Sequence, residues 1–156
     1  MEILLSKPVL VGLHLGFGII GIDAFLWLLG ELRGKARRKP IVITALVGVL
    51  SFFGSWIAGG YYYVTYYGNF VRPVIKEGLA PWAHNIMMET KEHIFLFIIP
   101  LALTIYFAVL LTTEELESAG IRKTVMYLAA YVALLGLAIG AMGFMISAAA
   151  RWGAVN

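Results

Sequence analysis

Four long apolar stretches separated by short polar connections organise the chain. They run over about 8–29, 41–66, 82–112 and 124–149. Each exceeds the roughly 20 residues that an α-helix needs to cross a bilayer core of about 30 Å. The punctuation between them is that of helix ends. Pro8, Pro40 and Pro81 stand at or near the starts of the first, second and third stretches, where a missing N–H costs nothing. The connections 30–39, 68–80 and 113–123 gather glycine and most of the charge. The pattern predicts an all-α integral membrane four-helix bundle, one transmembrane domain over residues 1–156.

Composition agrees, since 61% of the residues are hydrophobic and only 13% are charged. That balance leaves no polar surface for a water-soluble fold. Four spans use most of the 156 residues and leave no room for a soluble catalytic domain, so the chain reads as a component of a larger assembly. The first apolar stretch is too long for a signal peptide and is taken as a span. Cysteine is absent, which excludes disulfides, iron–sulfur clusters, thiolate zinc sites and covalently attached haem.

The formal charge of +3 comes from basic residues beside hydrophobic spans, which is a topology signal and does not point to nucleic acid. Arg33, Lys35, Arg37, Arg38, Lys39, Arg122 and Lys123 fall in the two connections that share a side; Lys7, Arg72, Lys76 and Arg151 fall on the other. The excess predicts a prokaryotic cytoplasmic membrane protein with both termini outside and the basic loop 30–39 in the cytoplasm. Tyr61, Tyr62, Tyr63, Tyr66 and Tyr67 read as an interfacial aromatic belt on the outer side.

The two halves can be laid over each other. His14, Ile19, Ile20 and Gly21 sit against His93, Ile98, Ile99 and Pro100; Arg38-Lys39 aligns with Arg122-Lys123, and Gly59 then falls on Gly143 without a gap. A true repeat would consist of tandem helical hairpins related by a pseudo-twofold axis along the membrane normal, with His14 facing His93. Apolar sequence also matches by chance, and the chance reading stands beside it.

Ionisable groups within spans are costly and mark sites by default. Here they are His14 and Asp23 in the first span and His84, Glu89, Lys91, Glu92 and His93 in the third. The sharpest reading makes His14 and His93 the metal ligands of a haem b held between helices one and three, with many helix glycines giving relief to a flat macrocycle. Pairs such as Gly12/Gly16 and Gly136/Gly140 equally serve plain helix packing. His84 lies about half a turn from the His93 face and is either a solvated or loop-bonded side chain or a second haem or quinone contact. Glu89, Glu92 and His93 invite a metal, though without a second Glu-x-x-His copy. They also suit a carboxylate that orients His93, or one that takes protons from a quinol. Asp23 is read as snorkelling toward, or pairing with, Arg33 or Lys35, and Met87, Met88, Met142 and Met145 as packing.

The plan resembles the small four-helix membrane b-type cytochromes, such as the cytochrome b561-like and CopD-like proteins. The resemblance rests on His14 and His93 and matches no specific motif. It implies a membrane electron-transfer subunit passing electrons between quinol and a partner, with other membrane or periplasmic redox subunits as neighbours. Two other classes stay open: a small metal- or proton-conducting protein using Glu89, Glu92 and His93, and a structural subunit of a membrane complex.

Overall fold

The computed structural model describes residues 3–34 and 38–154, and the predicted contributions of Lys35 and Arg37 lie outside them. Four helices are long and apolar enough to cross a membrane: Lys7–Arg33, Arg38–Glu77, Ala83–Ala108 and Arg122–Gly153. No strand occurs among the described residues. The first is α1; the second comprises α2 (Arg38–Tyr62), a π-helical stretch (Tyr63–Val71) and α3 (Arg72–Glu77). The third comprises a π-helical stretch (Ala83–Met88) and α4 (Glu89–Ala108). After the short α5 (Thr113–Ser118), α6 (Arg122–Gly153) is the fourth.

The second long helix continues to Glu77, where the sequence pattern places its end near Tyr66 and a loop over 68–80. Gly68 and Pro73 suggest a break, but Pro73 opens α3 directly after the π-helical stretch, at a position that does not need its N–H. The polar stretch 113–123 likewise holds a helix. Thr112 accepts from the Glu115 amide at 3.2 Å while the Glu115 carboxylate accepts from the Thr112 amide at 2.6 Å, a reciprocal cap for α5.

α1 packs on α2 and α6, and α4 packs on α2 and α6, so the long helices form a ring with the first and third across the diagonal. Small residues let them approach. A Cβ on Gly21 or Gly48 would stand 2.7 Å from the ring of Phe52 or Phe25, and one on Gly136 would stand 2.6 Å from Ile22. Phe25 and Phe52 themselves stack at 5.6 Å. Around them Leu28, Leu32, Ile98, Ala102, Ile105, Ala129 and Val132 are fully buried, which makes the core of the half of the bundle toward the 34–38 connection predominantly apolar, with Ser51 as its buried hydroxyl.

Arginines close that end. Arg122 donates to the carbonyl oxygens of Leu32, at 2.6 and 3.0 Å, and of Gly34, at 2.9 Å, and pairs with Glu117. Arg38 donates to the Leu110 carbonyl. Each guanidinium thereby satisfies carbonyls that a helix C-terminus leaves unpaired. The opposite end, where α1 and the third long helix begin, is called the terminal end below.

Candidate functional site

His14 lies about two turns inside the terminal end of α1 and turns into the bundle. Its Nδ1 is 2.9 Å from the Ser55 carbonyl and 3.0 Å from Ser55 Oγ, and that hydroxyl donates to the His14 carbonyl at 2.9 Å. Both neighbours of Nδ1 therefore act as acceptors toward it, which puts the ring proton on Nδ1 and leaves Nε2 as a lone pair. Lys91 Nζ lies 3.4 Å from that Nε2, from the diagonally opposite helix. The ammonium is thus presented with an acceptor.

Gly59 makes room for this meeting, and Lys91 passes over Gly143 at ordinary contact distance. A Cβ on Gly59 would stand 2.5 Å from His14 Nδ1, and one on Gly143 would stand 3.4 Å from Lys91 Nζ. The basic group from each hairpin's first helix therefore lies against a glycine of that hairpin's second helix. Glu92 supplies the local counter-charge to Lys91 and also meets the Tyr63 phenol, while its Oε1 is buried without a hydrogen-bond partner.

Titratable groups continue toward the terminal end. Tyr63 stacks on Tyr67 at 5.3 Å, and the Tyr67 hydroxyl lies 3.1 Å from His84 Nδ1. Tyr67 and His84 are each only 2% exposed. His84 Nε2 stands 4.0 Å from the Glu89 carboxylate, which is open to the surroundings. At that distance the pair is beyond hydrogen-bond reach. Tyr67 and His84 lie on the two π-helical stretches, whose wider turns depart from the 3.6-residue register used to place side chains from sequence.

Of the residues singled out in the sequence, the structure gathers His14 and Glu92 around Lys91, and His84 with Glu89 beyond them. His93 is not with them. It is exposed on the outward face of α4, and its Nδ1 donates to the Glu89 carbonyl at 2.6 Å, one turn back on its own helix. Lys91 and His93 are two residues apart, about 200° around a helix, so the inward course of one sends the other outward.

A haem b ligated by His14 and His93 does not fit these residues. One imidazole faces away from the bundle, and the other has Ser55 on one nitrogen and Lys91 on the other. Nor do any three histidine, aspartate or glutamate side chains converge to hold a metal ion among the described residues. Asp23, expected to pair with Arg33 or Lys35, is exposed and has no partner among the described residues.

Ser55 is not singled out in the sequence, and Lys91, Tyr63 and Tyr67 stand there in other roles, as a counter-charge to the helix carboxylates and as part of the aromatic belt. Matching His14 to His93 hid Lys91, and the aromatic belt absorbed the tyrosines. The usable signal was the Gly59–Gly143 alignment, because a basic side chain lies against each glycine. No protein-family model, curated protein sequence or solved structure matches this chain.

Proposed function

We propose that this protein is an integral membrane subunit that binds and releases protons at a site open to one side of the bilayer only. The observation that carries the reading is the placement of its titratable groups. Glu89, His84, Tyr67, Tyr63, Glu92, Lys91 and His14 follow one another inward from the terminal end, and beyond His14 the core of the described residues is apolar apart from the Ser51 hydroxyl and one Glu31 oxygen close to the opposite end. Protons exchange along hydrogen-bonding side chains and intervening water, and a packed hydrocarbon layer supplies neither.

Such an arrangement favours a dead-end site over a channel. The Lys91–His14 contact offers one amine and one imidazole nitrogen for a shared proton, and the unpartnered Glu92 Oε1 is a second place for one. A haem b held by His14 and His93 would need both imidazoles facing one gap, and His93 faces outward, which favours proton handling. The outward side chains Leu50, Ile57, Phe97, Leu134 and Phe144 are apolar and exposed, as a lipid-facing surface requires. The basic connection 30–39 then lies in the cytoplasm, and the proton site opens to the outside.

The hairpins behave as equivalent halves in this reading. Arg38 and Arg122 occupy matched positions, and each caps the first helix of the other hairpin. His14 on Gly59 and Lys91 over Gly143 repeat the relation. The pseudo-twofold partner of His14 is then Lys91, in place of His93, and the site sits on the axis.

The test is reconstitution in sealed vesicles with infrared difference spectroscopy after a pH jump. A carboxyl band that appears only when the terminal-end side is acidified, and disappears in Glu92→Gln, is the expected result, with an imposed pH gradient left intact. Rapid collapse of the gradient by the wild type, or a band indifferent to Glu92→Gln, would overturn the proposal.

A further inference from the structure

We propose that the outward face of α1 docks a transmembrane helix of a different protein, one that carries a lysine or arginine at the level of Asp23. The carboxylate is exposed on that face and has no hydrogen bond or ion pair with any described residue. It lies ten residues before Arg33 and sixteen after Lys7, about 15 Å and 24 Å from the two ends of α1 at 1.5 Å per residue. Long basic side chains reach an interface from such depths, but an aspartate has no stem with which to do so.

Charged groups in membrane helices turn inward to find partners. Asp23 does not, because the adjoining inward positions Gly21, Ala24 and Phe25 are buried in the core. None of the described residues supplies a partner, and a helix of another protein can. The surrounding surface admits one. At 100° per residue Gly12, Gly16, Asp23 and Gly30 fall within about 40° of each other. Unlike the glycines packed inside the bundle, these three have no atom within 4 Å of where a Cβ would stand. A shallow groove over Gly12, Leu13, Gly16, Phe17 and Ile20 continues the face toward the terminal end.

Charge selects the occupant. A symmetric second copy would set Asp23 against Asp23, a like-charge contact in hydrocarbon. A second copy packed by another face has no suitable cation at this depth among the described residues. Lys91 is engaged inward with His14, and His93 lies only ten residues from the start of its long helix at Ala83, about 9 Å nearer the terminal end than Asp23. A foreign helix with a basic side chain meets both the charge and the open groove.

The experiment uses the full-length protein, fluorescently labelled in lipid vesicles. The probe is a synthetic leucine–alanine transmembrane helix with one lysine at the matching depth, and energy transfer reports association. The lysine helix is expected to associate about 3- to 30-fold more tightly than the same helix with leucine there. Asp23→Asn should reduce that preference and Asp23→Leu should abolish it, while detergent unfolding of both variants stays at the wild-type midpoint. Equal binding of the two helices, or a preference that survives Asp23→Leu, would refute the proposal. So would wild-type self-association that is lost on Asp23→Leu, since the occupant would then be a second copy.

Discussion

Adding one methyl group at Gly59 tests the central contact of the site. In Gly59→Ala the new Cβ would stand 2.5 Å from His14 Nδ1 and 2.9 Å from Cε1, well inside van der Waals contact. The ring cannot slide along its own plane without leaving the Ser55 carbonyl, so either the helices part or that hydrogen bond breaks. Overpacking costs about 1–3 kcal/mol. A lost buried hydrogen bond costs about another 1 kcal/mol. Against this, alanine is better than glycine within a helix by about 1 kcal/mol. The expected net loss is therefore about 1–3 kcal/mol. Gly60, the next residue, meets nothing within 4 Å, so Gly60→Ala keeps only the favourable helix term. Unfolding by sodium dodecyl sulfate in mixed micelles, followed by far-ultraviolet circular dichroism, gives both values. The decisive comparison is the same pair in a His14→Ala background, where the cost of Gly59→Ala should vanish. Equal stabilities of the two alanine variants in the wild-type background, or a Gly59→Ala cost unchanged without the imidazole, would refute the placement of His14.

Arg122→Met should destabilise the bundle by about 1.5–3 kcal/mol, because the charged bonds to the Leu32 and Gly34 carbonyls close the C-terminus of α1; the same detergent titration measures it. Phe52→Ala should cost about 3–5 kcal/mol, since the ring is buried against Phe25 and fills the space beside Gly21; an undiminished unfolding midpoint would contradict that packing. Hydrogen bonding to Thr112 holds the Glu115 carboxyl below its ordinary value of 4.5. A carboxyl depressed by folding stabilises above its unfolded value and loses that contribution as pH falls through the folded one. The protection of the Thr113–Ser118 amides, relative to their intrinsic exchange at each pH, should therefore fall on acidification below about 4.5, with no such step in Glu115→Gln. Thr112→Ala should quicken the same amides at neutral pH, by about 1 kcal/mol of local stability.

The sequence makes the four long helices legible because a span must be apolar on every side, and that signal accumulates over twenty residues. It says far less about which side of a span faces inward, because an apolar helix in lipid has almost no amphipathic face to read. His93 shows the consequence. It matched His14 by position along the helix, and only the rotation about the axis distinguishes it from Lys91, two residues away. Rotation was further disguised by the π-helical stretches, which shift every residue before Glu89 from the register that a straight α-helix would give. The same effect hid the extent of the second helix, since Gly68 and Pro73 are ordinary loop signals until a π-helical stretch absorbs the one and a helix start takes the other. By contrast, the Thr112–Glu115 cap was fully present in the sequence, as a Thr-x-x-Glu spacing next to a polar run. Glycine carried the information that the polar residues did not. Gly59 and Gly143 align without a gap, and His14 rests on the first while Lys91 passes over the second. Choosing the partner of His14 by what could pass over Gly143 selects Lys91, and with it the inward orientation of Lys91 that brings Glu92 and Tyr63 beside it.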